Sequence, residues 1–229
     1  MIYRCLFEQS GTFKNEFKKL GYESYDYDIL DDFNETDVRI DLYQEIEKAY
    51  DGESSIFDTF SKSDVVLAFF PCIRFENQIL LWFRGDCWCQ RNWNDIQKLH
   101  YAMNLQNELN KNYNVLCKLV IVLQRLNIGL IIENPYSTQH YLITHFPIKP
   151  TIIDKDRTLK GDYMKKPTAY WFIGIEPKYN QVNEPIKLKE KITHNGLWWD
   201  KNKTVKRSLL SSDYANRFIK EYIIEGGEK

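Results

Sequence analysis

The sequence has no long uninterrupted hydrophobic run, and its first residues are not typical of a secretion signal. The longest apolar stretch, residues 115–132, contains four polar or charged residues and makes a poor membrane span. These four are Lys118, Gln124, Arg125 and Asn127. The opening residues, MIYRCLFEQSG, lack a basic segment followed by an apolar core. We therefore expect a cytoplasmic protein without membrane association.

Cysteine is too sparse and scattered for a disulfide framework. The chain has five cysteines, an odd number, and cytoplasmic thiols stay reduced. Cys87 and Cys89 are close in sequence, but two sulfur ligands with one residue between them do not make a zinc site. We therefore predict no metal site, and we interpret Cys5, Cys87, Cys89 and Cys117 as packing residues.

The chain also has little net charge and no repeat or low-complexity block. A formal net charge of −1 excludes a general attraction to a polyanion, so a nucleic-acid partner would need a local basic surface. Hydrophobic residues make up 43% and aromatic residues 15% of the chain, which favours a packed globular protein over a disordered one. The length, 229 residues, predicts a single domain over 1–229.

What the sequence does have is a regular alternation of short apolar runs with amphipathic segments. We predict strands at 2–7, 24–29, 38–42, 65–70, 129–132 and 169–173. We predict helices at 12–20, with Thr12 as N-cap, and at 42–50, 91–127 and 209–224. This alternation predicts an α/β fold with a doubly wound, mostly parallel sheet.

The turn after the first strand has the features that a nucleotide cofactor needs. Such a cofactor requires a tight backbone turn between a strand and a helix, and a carboxylate at the end of the next strand for its ribose hydroxyls. Residues 7–13, with Gly11, supply the turn, and Asp28 supplies the carboxylate. Asp41, one strand later, is placed to accept a hydrogen bond from an adenine amino group. An ordinary glycine turn and a surface acid at a strand end are the alternatives.

Two further strands lead into residues with possible chemical roles. Cys72 follows a buried strand, precedes a predicted helix and has Arg74 nearby, and both a helix N-terminus and a cation favour the reactive thiolate. Glu133 follows an apolar strand that should raise its pKa, which suits donation of a proton to a ring nitrogen. A buried structural cysteine and a helix-capping or ion-paired glutamate are the alternatives.

Residues 177–207 lack clear periodicity and predict a long loop. Between Lys187 and Arg207 there are seven lysine or arginine residues against two acidic ones, together with Trp198 and Trp199. This composition suits contacts with phosphates and stacked bases, and it equally suits a solvated charged loop.

Four elements, in this order, resemble the cytosine-5 DNA methyltransferase family, especially its short phage and prophage members. They are the cofactor loop at 7–13 with Asp28, the Pro-Cys segment at 67–72, the Glu-Asn-Pro element at 131–135 and the Lys-Pro-Thr strand at 161–171. The tail at 207–219 is similar to the closing helix of these proteins. The resemblance spans nearly the whole chain.

The resemblance implies a Rossmann-like methyltransferase fold with S-adenosylmethionine as cofactor, in a bacterial or phage-infected cell. The implied cofactor-binding residues are Phe7, Gln9, Ser10, Gly11, Thr12, Phe13, Asp28, Ile29, Asp41 and Pro71. The implied partner is DNA, whose target cytosine leaves the base stack. The residues expected to contact it are Arg74, Lys201, Lys203, Lys206 and Arg207.

The resemblance also implies a mechanism with Cys72 and Glu133 as catalytic residues. The thiolate of Cys72 would add to carbon 6 of cytosine while Glu133 holds the ring nitrogen at position 3. Carbon 5 would then take the methyl group, and loss of its proton would expel the thiol. RNA or a free nucleotide is an alternative substrate.

Two departures from the family pattern support a second hypothesis. Gln9 stands where the family usually has glycine, and Glu76 lies near the expected path of a phosphate. In addition, no Gln-x-Arg-x-Arg element is found. These features favour a binding protein that keeps the pocket without turnover, whereas Cys72 and Glu133 favour an enzyme.

Overall fold

The computed structural model describes residues 1–76, 79–186 and 209–225. Its strands are β1 (Tyr3–Leu6), β2 (Ser24–Asp28), β3 (Val38–Arg39), β4 (Val65–Ala68), β5 (Gly129–Pro135), β6 (Ile152–Asp154) and β7 (Thr168–Ile173). Its α-helices are α1 (Thr12–Lys19), α2 (Leu42–Asp51), α3 (Ile79–Phe83), α4 (Asp95–Arg125), α5 (Tyr141–His145) and α6 (Ser212–Phe218). A π-helical turn at Ile219–Ile223 continues α6, and short 3₁₀ turns lie at Ile56–Thr59, Trp88–Gln90 and Arg157–Lys160.

The seven strands form one sheet in the order β3-β2-β1-β4-β5-β7-β6. Neighbouring strands from β3 to β5 are parallel, whereas β7 runs antiparallel to both β5 and β6. The predicted α/β class and mostly parallel sheet are therefore confirmed, with one antiparallel strand that the sequence did not reveal.

The chain places β2 and β3 on one side of β1 and then crosses over to place β4 on the other side. This reversal is a topological switch point. Open α/β sheets bind their ligands in the crevice that such a reversal creates, outside the carboxyl ends of the two central strands. In this protein that crevice lies beyond Leu6 of β1 and Ala68 of β4, which pair side by side.

Helices cover both faces of the sheet. Alternate residues of β4 point to opposite faces, so Val66 and Ala68 join one hydrophobic cluster and Val65 and Leu67 join the other. The first cluster includes side chains of α2 and α4, and the second includes side chains of α1 and α6. A strand that is apolar on both faces is typical of the centre of a parallel sheet, and each fully buried large side chain contributes roughly 1.5–3 kcal/mol.

Two predicted boundaries near the crevice are wrong because side chains cap helices there. Strand β3 ends at Arg39 rather than at residue 42, and the Asp41 carboxylate instead accepts hydrogen bonds from the first turn of α2. Thr12 is the first helical residue of α1 rather than its N-cap. Its predecessor, Gly11, has a left-handed backbone with φ 63°.

Other differences come from pairing between distant segments. Strand β5 continues beyond residue 132 to Pro135 because Glu133, Asn134 and Pro135 pair with the antiparallel strand β7. Strand β6 has three residues, too short to show periodicity, and it was not predicted. The closing helix at 209–224 is split between α6 and the π-helical turn.

The long helix α4 begins at Asp95 rather than at residue 91. The Asn94 side chain accepts a hydrogen bond from Gln97 N at 2.9 Å, and the Gln97 side chain accepts one from Asn94 N at 3.0 Å. This reciprocal capping box fixes the start of the helix. Neither α4 nor another helix in the described part of the chain is long and apolar enough to cross a membrane.

Candidate active site

A cavity of about 230 Å³ opens at the switch point of the sheet. Its walls come from the turn after β1 (residues 7–10), the segment after β4 (residues 69–72) and the end of β5 (Glu133 and Pro135). Lys166, just before β7, and Leu209 and Leu210, before α6, complete the lining. An apolar cavity of about 150 Å³ holds a benzene ring, so this cavity has room for one six-membered ring and a substituent.

Cys72 and Glu133 both line this cavity. Strands β4 and β5 are adjacent and parallel, with Ala68 opposite Ile132, so the segments that follow them leave the sheet at the same edge. Glu133 comes one residue after this pair and Cys72 four residues after it. The spacing of 61 residues in sequence thus becomes a short separation across neighbouring strands.

Asn134 connects the two segments that carry these side chains. It is fully buried, and its Nδ2 donates a hydrogen bond to the carbonyl oxygen of Phe70 at 2.8 Å. The same Nδ2 donates to the carbonyl oxygen of Glu133 at 3.0 Å. One amide group therefore ties the end of β5 to the residue that precedes Pro71 and Cys72.

The electrostatic surroundings of Cys72 differ from the prediction. Burial raises the pKa of the Cys72 thiol to about 12; Lys166 lowers it, and Glu76 and Glu133 raise it further. The thiol donates a hydrogen bond from Sγ to Glu76 Oε1 at 3.2 Å. Arg74, which we expected to favour the thiolate, instead pairs with the Glu108 carboxylate on α4. At neutral pH the free protein therefore carries a thiol at this position.

Burial also raises the pKa of Glu133, in the direction that its position after an apolar strand predicted. The positive charges of Lys166 and Arg157 lower that pKa, and the negative charge of Glu76 raises it. A carboxyl group in this balance is able to carry a proton nearer to neutral pH than an exposed glutamate.

Lys166 and Arg157 are charged residues of the site to which the sequence analysis assigned no function. Lys166 lies on the cavity and acts electrostatically on both Cys72 and Glu133. Arg157 is 1% exposed and pairs through Nε with Asp162 Oδ2 at 2.8 Å. The Lys-Pro-Thr segment pointed to Lys166, but Arg157 lies in a polar stretch that reads as a solvated loop.

Glu8 is a buried acid of the site that was not predicted. Its carboxylate accepts hydrogen bonds from Phe13 N at 2.8 Å and from Lys14 N at 3.4 Å, so it satisfies the first N–H groups of α1. Burial raises the pKa of Glu8 to about 7, although these two hydrogen bonds oppose the shift. The N-terminus of α1, where we expected cofactor contacts, is thus occupied by a side chain of the same turn.

The predicted cofactor residues divide into two groups. Four of them line the cavity: Phe7, Gln9, Ser10 and Pro71. The turn that carries the first three is tightly constrained, because a Cβ at Gly11 would lie 2.8 Å from Glu35 Oε2. Thr12 is close to Ser10, with 3.0 Å between their hydroxyl oxygens. Gly11, Thr12 and Phe13 do not line the cavity, and Phe13 is fully buried against Phe69 and Phe218.

The acids at the ends of β2 and β3 lie outside the cavity lining. Asp28 is half-buried, which raises its pKa, and its Oδ1 accepts a hydrogen bond from Leu30 N at 2.8 Å. Ile29 is 53% exposed, and Asp41 caps α2. Gln9 links this region to the cavity, because its Oε1 accepts a hydrogen bond from Asp32 N at 3.2 Å.

Most of the predicted nucleic-acid contacts fall in a segment that the structure does not describe. Lys201, Lys203, Lys206 and Arg207, with the rest of the basic stretch from 187, lie outside the described residues. Arg74 is described and forms the ion pair with Glu108. The expectation of a DNA-binding surface therefore stays a prediction.

No protein-family model matches the sequence, and a comparison with curated proteins finds no match. The resemblance to cytosine-5 methyltransferases therefore depends on the order of its sequence elements. What the structure adds is an α/β fold and a cavity at the switch point that carries a thiol and a half-buried acid.

Proposed function

We propose that this protein is an S-adenosylmethionine-dependent methyltransferase that acts on carbon 5 of cytosine in DNA through a covalent adduct with Cys72. The observation that carries the proposal is that Cys72 and Glu133 line one cavity at the switch point of the sheet. The strand order and the single antiparallel strand are compatible with a Rossmann-like methyltransferase fold.

The residues at the end of β1 fit a nucleoside cofactor with a positive charge. Phe7 has a left-handed backbone with φ 61°, which is costly for an aromatic residue, and strain of this kind clusters at ligand sites. Phe7, Phe70, Glu8 and Glu133 line the cavity. Aromatic rings attract cations, and so does the ionised form of Glu8. When bound, S-adenosylmethionine supplies the methyl group that carbon 5 receives.

The residues of this chain have distinct tasks in the proposed reaction. The sulfur of Cys72 forms a bond to carbon 6 of the flipped cytosine. Glu133, whose pKa is raised by burial, donates a proton in its protonated form to the ring nitrogen at position 3. Lys166 stabilises the negative charge that the Glu133 side chain carries after it has donated this proton. Once carbon 5 is methylated, its proton passes to solvent water, the C–H electron pair forms C5=C6, and the sulfur–carbon bond breaks with its pair returning to Cys72. The ring nitrogen returns its proton to Glu133.

A second candidate function is a methyltransferase-like binding protein without turnover. The observations that favour it are the pKa of Cys72, about 12, and the capping of α1 by Glu8. A thiol with so high a pKa is a weak nucleophile unless a neighbouring group takes its proton. Methylation of RNA or of a free nucleotide is a variant of the first proposal, with the same cavity chemistry.

The test is formation of a covalent adduct with DNA that contains 5-fluorocytosine, in the presence of S-adenosylmethionine. Fluorine replaces the carbon-5 hydrogen whose loss as a proton would release Cys72. The adduct therefore persists and migrates as a cross-linked band. We expect the band with the wild-type protein and with Cys117→Ser, a matched change of a half-buried cysteine on α4, and its complete loss with Cys72→Ser.

The same assay separates the alternatives. Parallel reactions with 5-fluorocytosine in RNA and with a free 5-fluorocytidine nucleotide identify the substrate class by which one forms the adduct. No adduct with any of the three, together with calorimetric binding of S-adenosylmethionine, would establish the binding protein and reject the enzyme.

A further inference from the structure

Glu76 is the acid that directly contacts the thiol of Cys72. Residues 72–76 form a tight turn in which the Cys72 carbonyl oxygen accepts hydrogen bonds from Phe75 N at 2.8 Å and from Glu76 N at 3.2 Å. This helical geometry brings side chains four residues apart onto the same face. The Glu76 carboxylate thus accepts the hydrogen bond from Cys72 Sγ, at 3.2 Å.

The proposed reaction requires the thiol to lose its proton at neutral pH. Three charged groups act on the sulfur: Glu76, Glu133 and Lys166. Their combined effect and burial leave the pKa of Cys72 at about 12, so on the order of one molecule in 10⁵ carries a free thiolate at pH 7. Lys166 alone does not offset this, and Glu133 is required as a proton donor. Within the described residues, the group in hydrogen-bond contact with the thiol is Glu76.

We propose that Glu76 is a catalytic base that takes the thiol proton of Cys72 as the sulfur attacks carbon 6. This inference rests on the proposed function. The S–H bond breaks and its proton passes to Glu76 Oε1 while the bond from sulfur to carbon 6 forms. The electron pair of the C5=C6 bond shifts to C4=C5, the C4=N3 pair moves to the ring nitrogen, and that nitrogen takes the proton of Glu133. Glu76 ends neutral and Glu133 ends as a carboxylate, so charge is conserved.

This role gives a reason for Glu76, a residue whose negative charge is unfavourable for nucleic-acid binding when the chain is compared with the family pattern. From sequence, an acid at position 76 was expected to repel a nearby phosphate. In the structure its carboxylate faces the sulfur instead. A thiol held against a base is protonated in the free protein and is activated when an electrophilic ring is present, which reconciles the high pKa of Cys72 with a nucleophilic function.

The test uses alkylation of Cys72 by iodoacetamide, followed by mass spectrometry of the Cys72 peptide between pH 6 and 10. It requires neither DNA nor cofactor. With wild-type protein we expect a rate that changes little between pH 6 and 9, because Glu76 takes the proton. With Glu76→Gln the rate should follow free thiolate and rise about tenfold per pH unit. At pH 7 the variant should be slower by about 10²–10⁴.

The two profiles should cross at high pH. A deficit of about 10²–10⁴ at pH 7 that closes about tenfold per pH unit should disappear between about pH 9 and 11. Removal of the Glu76 charge also lowers the pKa of Cys72, which moves the crossing toward lower pH. A merely structural role for Glu76 would slow or speed alkylation without changing the pH profile. The inference is overturned if the wild-type rate itself rises tenfold per pH unit and Glu76→Gln runs parallel to it or above it.

Glu108→Gln is the matched control, since it removes a carboxylate that pairs with Arg74 and does not contact the thiol. Its Cys72 profile should match the wild type. Alkylation of Cys117 in the same samples serves as an internal reference for reagent and folding.

The cross-linking assay separates this inference from the proposed function. If the iodoacetamide profiles differ as expected and no fluorocytosine substrate forms an adduct, Glu76 is the base for Cys72 and the methyltransferase proposal fails. If Glu76→Gln forms the DNA adduct at the wild-type rate at pH 7, the base assignment fails and the methyltransferase proposal stands.

Discussion

The two sides of the cavity differ in how their side chains reach it. On the β4–β5 side, three of the four residues singled out from sequence, Pro71, Cys72 and Glu133, line the cavity, and the fourth, Arg74, pairs with Glu108 instead. On the side formed by β1, β2 and β3, residues 7, 9 and 10 line it, whereas Asp28 and Asp41 lie outside it. The first side is built directly from the ends of two paired strands. The second is built from turns whose polar side chains also cap helices, so strand ends alone do not determine which groups face a ligand.

The largest effect is expected on the β4–β5 side, with Glu133→Gln. Glutamine keeps the size of the side chain but has no proton to transfer, so the rate of adduct formation with 5-fluorocytosine DNA should fall by about 10²–10⁴. In the proposed reaction the active form of Glu133 is the protonated one. Because burial raises its pKa, against Lys166 and Arg157, the wild-type rate should decline only as pH rises through that raised value.

Glu47→Gln is the control for this change, because Glu47 on α2 pairs with Lys118 of α4 and does not line the cavity. It should leave the rate and the pH profile unaltered. If Glu133→Gln reacted at the wild-type rate, Glu133 would have no part in adduct formation, and Cys72 would act without an acid partner.

A smaller effect, on stability, is expected on the β1 side with Glu8→Gln. The pKa of Glu8 is raised from 4.5 to about 7, so the folded protein holds this proton more tightly than the unfolded chain. The associated stability is complete below about pH 4.5 and is lost as pH rises through 7. The loss is on the order of 3 kcal/mol, and Glu8→Gln, which keeps an acceptor for Phe13 N, should not show it.

The measurement is urea unfolding of the wild type and the variant from pH 4 to pH 8. The unfolding free energy of Glu8→Gln should rise relative to that of the wild type as the pH increases across this range. For Glu23→Gln, a change at an exposed position, the difference in unfolding free energy from the wild type should not vary with pH. Parallel curves for Glu8→Gln would mean that its carboxyl is not held at the N-terminus of α1, and would free that terminus for a ligand.

The same contrast shows what could be predicted from the sequence. The apolar runs before Cys72 and Glu133 are local signals, so the approximate ends of β4 and β5 and the meeting of these two residues followed from them. The antiparallel direction of β7 did not follow, because a run of apolar residues does not show whether its strand will be parallel or antiparallel to its neighbours. Nor did the pKa of Cys72, because it depends on burial by residues far away in the chain.

Capping was the main reason for the errors on the other side. An aspartate after a strand and an aspartate before a helix are the same pattern in sequence, and at Asp41 the helix N-cap prevailed. Glu8 lies within the segment assigned to the cofactor turn, yet nothing local shows that it folds back onto Phe13 N. Such contacts depend on the backbone conformation of the turn, including the left-handed Phe7 and Gly11.

The smallest effect is expected for Asp28→Ala, which tests whether the cofactor side extends beyond the cavity. If Asp28 holds the ribose, affinity for S-adenosylmethionine measured by calorimetry should fall about tenfold, within the 1–3 kcal/mol of a lost charged hydrogen bond. Asp28 also accepts a hydrogen bond from Leu30 N, so Asp28→Asn, which keeps that acceptor, distinguishes the two roles. We expect both variants to bind weakly and Asp32→Ala, an exposed acid of the same loop, to bind normally. Unchanged affinity in both Asp28 variants would confine the cofactor side to the cavity lining.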